Sequence, residues 1–588
     1  MTQGANYWLK RQVSRRAALR TAATATGGLA ALSLIGCGGD DEETSSGPPA
    51  ASATEATQPQ AQATDPLSGE QGGKLILQDY ADWGGLVLVS ARQAGIHRGA
   101  SYTHSGLYQS ANGVPGTDPL GVAFETDLAT DFPEISPDTL TYTVKIVEGA
   151  KFHNGRELTA EDVKYSYERY AFWEDSAYQR DFPWLDKVEA PDASTVIFTA
   201  KYPFADGPAS LGGRAYGHIL AREHEEGPDA VNKLMGSGAY IFVEREAPTL
   251  NARFRRNPEY FKQPLPYFDE IEVLGTSDFA KKVADFAAHN VHVTYWFDEE
   301  NRDQIKAARP DATLFGHNYL GWAVSFRADL PPFNDQRVRR AASMLINRQQ
   351  LIDGVYKGEG DDDQWFSWTL HLPMGEFRQP AELAGAEYWN HDEETAKQLL
   401  SAAGISEPLK MDNMHWDPTV VGQGMVDTNT LIATQWRNFG FIDSADIPLT
   451  FPQWASTVAI GSWENAWIAG PSAGGLILDP GMGNAIRNAM TTPPPEGPTP
   501  NNSKISDPML DELLEKQIGQ FDNTERLQTF KEMEDIMSLE QYKIVLNTFT
   551  NNFFADPSLR GIQIPLTHVQ GSNHYIKYWW FEGGQAPS

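Results

Sequence analysis

Residues 139–169 read TLTYTVKIVEGAKFHNGRELTAEDVKYSYER, and the local structure that this stretch predicts is the starting point for the fold. Asn154–Gly155 predicts a tight turn, because both central positions of such a turn need a positive φ. Thr159 stands three residues before Asp162, a close variant of the capping box that marks a helix start. Four apolar residues before the turn alternate with polar ones and predict a half-buried strand: Leu140, Tyr142, Val144 and Ile146.

The same stretch resembles the signature of family 5 of the extracellular solute-binding proteins, the receptors of peptide, nickel and related ABC importers. In that family the run is similar to YTF-LR-GVKFHDG-P-TAEDV. This chain differs by Val144 for Phe, Ile146–Val147 for a Leu-Arg pair and Asn154 for Asp. The resemblance covers nearly everything from Lys74 to the C-terminus. Three further segments resemble the family's RNPDYW, PYLDEI and PPFDDVRVRRA: residues 256–261, 266–271 and 332–341. Elsewhere we predict a helix at residues 429–441, a strand that starts at Leu449, a packed aromatic tail at residues 575–581, and outer-face ion pairs for Arg337, Arg339 and Arg340.

The resemblance implies an α/β fold of the periplasmic-binding-protein-like type II class, with two lobes that each hold a mixed sheet. Lobe 1 is expected at residues 74–325, with an accessory subdomain at about 101–205, and lobe 2 at 326–545. Residues 546–588 are expected to return to lobe 1, so that two strands cross between the lobes. In such a fold the ligand binds at the lobe interface, and hinge closure buries it.

The N-terminus predicts export and lipid anchoring. Residues 1–36 carry five Lys and Arg residues, no acid and a short apolar run, and Ser14–Arg20 has a twin-arginine pattern. The run ends in LIGC, which resembles a bacterial lipobox, and Cys37 is the only cysteine. We expect cleavage before Cys37, acylation of its thiol and insertion of the lipid chains into a membrane. Residues 37–73 are rich in small and polar residues and predict a disordered tether.

Composition limits the classes of molecule that this protein is expected to bind. The chain has 588 residues, is 41% hydrophobic and carries a net charge of −31. This charge argues against a nucleic-acid partner. It is compatible with simple solubility or with long-range repulsion of anionic ligands. The predicted location is extracytoplasmic, with the protein lipid-anchored to a bacterial membrane, in the periplasm or on the outer face of the cell membrane.

Catalytic and metal-binding patterns are weak. Gly470–Gly474 matches the hydrolase pattern G-x-S-x-G around Ser472, but a nucleophile elbow needs a strand before the serine and a helix after it. The preceding strand signal is weak, and the sequence GLILDP that follows does not predict a helix start. No two histidines have a metal spacing, and Asp361–Asp363 lacks the spacing of a calcium loop. The sequence therefore predicts no catalytic residue, no metal site and no cofactor.

Aromatic residues are the candidate ligand contacts, because their faces stack on sugars, peptide side chains or cations. In the family, the loop after the first strand lies at the cleft, and a Trp-containing segment of lobe 2 lies on the ligand side. The candidates chosen on this basis are Tyr80, Trp83, Tyr108, Trp365, Trp368, Trp416, Trp463 and Trp467.

One segment departs from the peptide receptors of the family. Those receptors place an Asp, which pairs with the α-amine of the peptide, between the Trp and a later Asp-Pro. Here the segment Trp467–Pro480 contains no acid before Asp479, and Glu464 is the nearest substitute. Peptide and oligosaccharide therefore both stay open as ligands, with the family favouring peptide and the aromatic excess favouring sugar.

The resemblance implies the substrate-binding receptor of an ABC importer, a monomer that captures an oligopeptide or a similar solute. Its partners would be the permease and ATPase subunits, which receive the ligand, and the membrane that holds its lipid anchor. Three alternatives stay open: an oligosaccharide receptor of the same family, a receptor that senses ligand for a signalling partner without import, and a secreted lipoprotein hydrolase with Ser472 as nucleophile.

Overall fold

The computed structural model covers most of the chain after the predicted tether. All of the residues that it describes belong to the compact unit Ala63–Ser588. The predicted signal peptide, Cys37 and the tether up to residue 66 lie outside them. Within this part of the chain, no helix combines the length and the apolar character that crossing a membrane requires. The described residues are 67–79, 86–90, 94–111, 113–115, 124–212, 217–246, 251–276, 278–297, 299–357, 378–418, 423–471, 491–493, 501–563 and 574–585.

The elements alternate between strands and helices. The strands are β1 Lys74–Asp79, β2 Tyr108–Ser110, β3 Phe124–Thr126, β4 Glu134–Ile135, β5 Thr141–Lys145, β6 Leu185–Glu189, β7 Thr195–Ala200, β8 Tyr240–Arg245, β9 Ala252–Arg256, β10 Glu270–Gly275, β11 Val293–Phe297, β12 Thr313–Ser325, β13 Leu409–Trp416, β14 Ile442–Leu449, β15 Ala466–Pro471, β16 Lys543–Ala555, β17 Leu559–Arg560 and β18 Trp580–Phe581. The α-helices are α1 Ala94–Thr103, α2 Ala160–Phe172, α3 Gly207–Ser210, α4 Arg222–Glu225, α5 Phe279–Ala287, α6 Glu299–Ala308, α7 Gln336–Met344, α8 Arg348–Gly354, α9 Glu393–Ala402, α10 Gln423–Phe439, α11 Phe451–Ser456, α12 Pro508–Ile518 and α13 Asn523–Glu540. Short 3₁₀ helices cover Gln179–Asp181, Pro380–Glu382, Ala386–Trp389, Val458–Ile460 and His574–Tyr578.

One mixed sheet of ten strands runs through the molecule in the order β14-β13-β15-β12-β16-β11-β1-β10-β9-β8. β1 is parallel to β10 and β11, and β13 is parallel to β14 and β15. The two central strands, β12 and β16, have 13 residues each and pair antiparallel along their length. A separate four-stranded sheet, β4-β5-β7-β6, packs with α2. The strands are thus mixed in direction, as predicted.

Two main hydrophobic cores are distinct, and the long strands β12 and β16 enter both. The second core contains Val324 of β12 together with Ile544 and Leu546 of β16. Further along β16, Phe553 and Ala555 belong to the first core, which surrounds β1 and the four-stranded sheet. The pairing of β12 with β16 shifts register twice between Tyr319 and Ala323, in the span between the two cores.

The strand, the turn and the capped helix predicted for residues 139–169 form, but a positive φ occurs at Gly155 and not at Asn154. β5 buries Tyr142 and Val144 on one face, and the chain then turns at Gly155, whose φ is +88°. Thr159 and Asp162 cap α2 reciprocally through side chain and backbone. Such a cap contributes roughly 1 kcal/mol to helix stability.

β14 contradicts the prediction that a strand starts at Leu449. The strand spans Ile442–Leu449 and ends at that residue. Its Pro448 reads as a breaker in the sequence, yet β14 is an edge strand that pairs only with β13, so the missing N–H of proline is tolerated there. A helix predicted at residues 429–441 begins earlier, at Gln423.

Two predictions about packing are confirmed. The aromatic tail is packed into the first core through Tyr575, Trp579 and Phe581. The basic run that starts α7 forms ion pairs: Arg337 with Asp335, and both Arg339 and Arg340 with Glu540. These arginines therefore have the structural role that the sequence favours.

Candidate functional site

The parallel strands of the first core have carboxyl ends that face the middle of β12 and β16. The last residue of β11, Phe297, pairs with Asn552 of β16, and its first residue, Val293, pairs with Ala555. Because β16 leads from Asn552 back to Ile544 in the second core, the carboxyl end of β11 points toward that core. β1 and β10 run in the same direction. The first edge is therefore formed by the strand ends Asp79, Gly275 and Phe297.

The parallel strands of the second core point the opposite way. Pro471 at the end of β15 pairs with Trp322 of β12, whereas Ile468 pairs with Ser325 deeper in the second core. β13 and β14 run parallel to β15, so the three carboxyl ends form a second edge at Trp416, Leu449 and Pro471. Both edges face the same span of β12 and β16. In open α/β sheets, ligands bind outside the carboxyl ends of strands, and here two such edges meet.

A buried ion pair fixes the first edge. Asp79 ends β1 and pairs with Arg98 of α1, and neither side chain is measurably open to solvent. Lys282 of α5 is also buried, and its charge lies over the ring of Phe279, 5.2 Å from the centroid. Burial lowers the pKa of Lys282 to about 8, and the charge of Asp79 opposes this shift. The attraction between these buried charges is not weakened by water, so it holds the end of β1 in place.

A hydrogen-bonded glutamine joins three elements behind the same edge. Gln78 of β1 donates through Nε2 to Asp285 of α5 at 3.0 Å, and it accepts from the hydroxyl of Thr294 of β11 at 2.7 Å. Its side chain is 1% exposed. These bonds tie the carboxyl end of β1 to the start of β11 and to α5.

Trp416 is the predicted ligand contact that the described structure places on the second edge. It ends β13, is only partly buried, and meets Trp454 edge-to-face with ring centroids 5.1 Å apart. The preceding residue, His415, supports it from inside the fold. Its Nε2 lies 2.9 Å from Oδ1 of Asp446, and its Nδ1 lies 2.8 Å from the carbonyl oxygen of Trp416. The edge therefore presents an aromatic face on a rigid base.

Other predicted contacts are packing residues in the structure. Tyr108 is 2% exposed, donates to the carbonyl of Asp131 and stacks on Phe132. Trp467 is wholly buried, donates through Nε1 to Ser444 at 2.7 Å and packs against Trp436. Neither side chain offers a surface to a ligand in this structure.

Trp463 is a packing residue, in a cluster that also contains Leu449 and Trp416 of the second edge. It precedes β15, whose opposite end forms the second edge, and its carbonyl accepts a hydrogen bond from Arg327 at 2.6 Å. Its indole is 4% exposed and packs in a small cluster with Trp454. The remaining candidates lie outside the described residues: Tyr80, Trp83, Trp365 and Trp368.

Sequence reasoning missed the pair of Asp79 and Arg98. The signal that could have found it was the position of Asp79, an acid that directly follows a predicted buried strand. It also underrated the strand before Ser472, since β15 ends at Pro471 and supplies the strand that a nucleophile elbow requires. Ser472 itself lies outside the described residues. In the part of the chain that can be described, no three His, Cys, Asp or Glu side chains are placed so that they could hold a metal ion.

Comparison with known proteins identifies the family. The model of the bacterial extracellular solute-binding proteins, family 5 (middle), matches residues 123–462. This chain belongs to that family. Its recognition from residues 139–169 is thereby confirmed.

Curated relatives are similar over part of their length. The oligopeptide-binding protein AppA of Bacillus subtilis (strain 168) is 28% identical over 282 residues, which cover 45% of this chain and 49% of AppA. Di/tripeptide-binding protein 2 of Pseudomonas aeruginosa (strain UCBPP-PA14) is 27% identical over 345 residues, or 52% of this chain and 61% of that protein. The chain thus spans about half the length of the curated relatives that it matches.

Solved structures match more completely. AppA from Bacillus subtilis in complex with a nonapeptide superposes with a TM-score of 0.70 at 17% identity, covering 87% of this chain and 100% of AppA. AgaA from A. tumefaciens R10 in complex with agropinic acid gives a TM-score of 0.72 at 20% identity, covering 87% and 99%. These likenesses confirm the periplasmic-binding-protein-like type II fold.

Proposed function

We propose that this protein is the substrate-binding receptor of an ABC importer, which captures a solute between its two halves and delivers it to a membrane permease. The observation that carries the proposal is that two carboxyl-terminal strand edges, one from each core, face the same span of β12 and β16. A ligand held by both edges draws the two cores together, and closure signals the loaded state to the importer. Binding needs no covalent chemistry, and the partner ATPase supplies the energy of transport.

The proposed ligand is an oligopeptide or a similar solute. The printed names of the relatives, oligopeptide-binding and di/tripeptide-binding, support a peptide. Trp416 would stack on a ligand side chain or ring, and Tyr80, Trp83, Trp365 and Trp368 stay proposed contacts from the sequence. The missing acid between Trp467 and Asp479 keeps oligosaccharide as the second candidate, since an aromatic edge also suits sugar rings.

The finer features of location and assembly belong to the same proposal. We infer export by the twin-arginine route, lipidation at Cys37, a monomeric receptor without catalytic activity, and a position outside the cytoplasm. The basic N-terminal region and the lipobox-like LIGC support the anchor. The test is radiolabelled palmitate incorporation, which a Cys37→Ala variant should abolish.

A thermal-shift screen tests the receptor function. The purified protein is heated with short peptides, oligosaccharides or nickel salts, and a ligand at 100 times its Kd should stabilise the fold by about 2.7 kcal/mol. We expect Trp416→Ala to raise the Kd of that ligand roughly tenfold, because the stacking surface is lost. Trp173→Ala is the matched control, since Trp173 is 38% exposed on the four-stranded-sheet unit.

The outcomes separate the candidate functions. A higher melting temperature with peptides alone supports the peptide receptor, and a higher melting temperature with oligosaccharides alone supports the second candidate. The hydrolase is supported instead if none of these compounds changes the melting temperature and the protein hydrolyses an ester, provided that Ser472→Ala abolishes the hydrolysis.

A further inference from the structure

Four histidines lie close together around the carboxyl-terminal end of α1. His97 lies in α1 and His104 directly follows it, and the rings of both approach that of His218. The ring centroids of His97 and His218 are 6.4 Å apart with nearly parallel planes, and those of His104 and His218 are 5.7 Å apart. His153, in the hairpin that precedes α2, exerts an electrostatic effect on His104. We call these four residues the histidine junction.

Three rings of the junction are buried, and the fourth, that of His153, is half-buried. His97, His104 and His218 are 1%, 5% and 6% exposed. Gly236 packs so closely that a Cβ at its position would lie 2.5 Å from the ring of His104. The ring of His104 therefore has little room to move away from its neighbours.

Two of the rings carry a nitrogen with no hydrogen-bond partner among the described residues. His104 uses Nδ1 to contact the hydroxyl of Thr103 at 2.9 Å, and no described residue bonds to its buried Nε2. His153 places Nε2 3.1 Å from the carbonyl of Gly238, and its buried Nδ1 is likewise unsatisfied. A protonated imidazole is a donor at both nitrogens, so protonation would add an unsatisfied donor to each ring as well as a charge.

The groups around the junction offer little compensation. Tyr178 contacts Nε2 of His97, and Tyr170 donates to the carbonyl of His218 at 3.3 Å. His224 adds to the repulsion at His104, and Arg255 does so at His153. Two acids of α4 lie on this side. Glu223 bonds to Arg156 and to the side chain of Asn154. Glu225 lies beside Arg169 at 3.8 Å, and burial raises the pKa of Glu225 to about 7. Within the described residues, no carboxylate hydrogen-bonds to His104 or His153.

α1 connects this junction to the ligand-binding edge. Arg98 is the residue after His97, and it holds Asp79 at the end of β1. Loosening of α1 would therefore loosen the ion pair that fixes the first edge. We propose that the histidine junction is a proton-sensitive device, in which acidification loosens α1 and thereby weakens ligand binding at the first edge. The ligand-binding half of this proposal rests on the proposed receptor function.

The direction of the effect follows from the neutral state of the rings. Burial, followed by the neighbouring imidazoles, lowers the pKa of His104 well below its ordinary value of 6.5. Burial lowers the pKa of His153 to about 4. Histidines of the unfolded chain take up protons near pH 6.5, whereas these two resist protonation in the fold. The stability that these two rings contribute is therefore full at neutral pH and is lost as pH falls from about 6.5 to about 4. The buried carboxyl of Glu225, whose pKa is raised to about 7, contributes in the opposite direction.

Hydrogen exchange of the full chain tests the device without any ligand. Exchange is followed by mass spectrometry at about pH 7.5 and about pH 5, with each rate divided by its intrinsic rate. We expect peptides covering β1, α1 and β5–α2 to exchange roughly tenfold faster at the lower pH, and the peptide of α10 to change little. Equal corrected rates in α1 at the two pH values would overturn the proposal.

Matched variants assign the effect to the junction. His104→Asn keeps a polar atom near the Nδ1 position, and His153→Gln keeps one near Nε2, while neither side chain titrates. His289→Asn is the control, because His289 is exposed and its φ of +59° suits asparagine. The double variant should lose most of the pH response and the control should keep it. A double variant that responds like the parent protein would overturn the proposal, and the comparison on the parent protein stands even where the variant fails to fold.

Trialanine serves as the ligand probe, by calorimetry at the same two pH values. We expect binding about tenfold weaker at the lower pH in the parent protein and nearly equal at both in the double variant. Unchanged affinity alongside faster exchange would overturn the coupling to the ligand edge. Absence of trialanine binding at both pH values would count against the peptide-receptor function, and the exchange data would still decide the histidine junction.

Discussion

The side-chain amine of Lys543 hydrogen-bonds the hydroxyl of Ser325 at 3.3 Å, across the residues that pair at the second-core end of β12 and β16. Asn502 accepts a second hydrogen bond from the same amine at 3.1 Å. Lys543 is 1% exposed and has no carboxylate partner among the described residues. Burial lowers its pKa from 10.5 to about 7. The second-core end of the paired strands thus contains a buried lysine whose side chain loses its proton near pH 7.

Lys543→Met should stabilise the protein at neutral pH. An unfolded lysine is protonated below about pH 10.5, so the folded state is penalised increasingly as pH falls from 10.5 to 7, and the penalty is constant below that. Methionine removes the penalty but leaves Oδ1 of Asn502 with only the longer hydrogen bond from the hydroxyl of Ser503, at 3.4 Å. We therefore expect a net gain of about 1–2 kcal/mol at pH 7. The gain should shrink toward about pH 10. Calorimetric melting at both pH values measures it.

Lys410→Met is the control for that experiment. Lys410 pairs with Asp443 at the surface, where its side chain is 77% exposed. Its replacement should change stability by less than about 1 kcal/mol at either pH. A loss of stability at pH 7 for Lys543→Met would contradict the assignment of Lys543 as a destabilised buried amine.

Asp79→Asn should destabilise the first edge strongly. The change leaves the guanidinium of Arg98 buried without its counter-charge, which typically costs about 3–5 kcal/mol. Urea denaturation measures the loss, and a double variant with Arg98→Met should recover part of it. Asp329→Asn removes the partner of Arg327 in a more exposed pair and should cost less than about 1 kcal/mol. Equal effects of the two single variants would argue against a structural role for the buried pair.

Gly155→Ala should destabilise the hairpin before α2, although space is available for a methyl group. A Cβ there would touch nothing within 4 Å, but φ is +88°, which costs a side chain about 1 kcal/mol. Gly519 is the matched position, since it has equally open surroundings and a φ of −90°. Gly519→Ala should be neutral or slightly stabilising. Chemical denaturation of both variants distinguishes backbone strain from crowding.

Trp467→Phe should act on stability rather than on ligand binding. The change removes the hydrogen bond to Ser444 and leaves space beside Trp436, so we expect a loss of about 1–3 kcal/mol. Combining it with Ser444→Ala gives a double-mutant cycle, and the coupling energy isolates the hydrogen bond. Calorimetry with a ligand from the thermal-shift screen should find an unchanged Kd. If the variant lost ligand binding while its stability stayed unchanged, Trp467 would have to be assigned as a ligand contact.

The parts of the fold that the sequence predicts well are those set by neighbouring residues. The strand, turn and cap of residues 139–169 depend on contacts a few positions apart, and the structure reproduces them. β14 was missed because the tolerance for Pro448 depends on the strand being at a sheet edge, which only the assembled sheet reveals.

Assignment of the candidate site depends on tertiary structure for the same reason. Trp416 and Trp467 look alike in sequence, but one ends an exposed strand edge and the other lies inside a strand covered on both faces. Asp79 and Arg98 are 19 residues apart on different elements, so no local pattern joins them. The family signature predicted the architecture and left the individual contacts undetermined.

The register shifts between Tyr319 and Ala323 interrupt the ladder that joins the two cores. The ladder is regular on either side, where Phe315 faces Phe553 and Val324 faces Ile544, so fewer regular hydrogen bonds resist bending in the residues between. If the protein closes on a ligand as proposed, we therefore expect β12 and β16 to bend together at this place without separating.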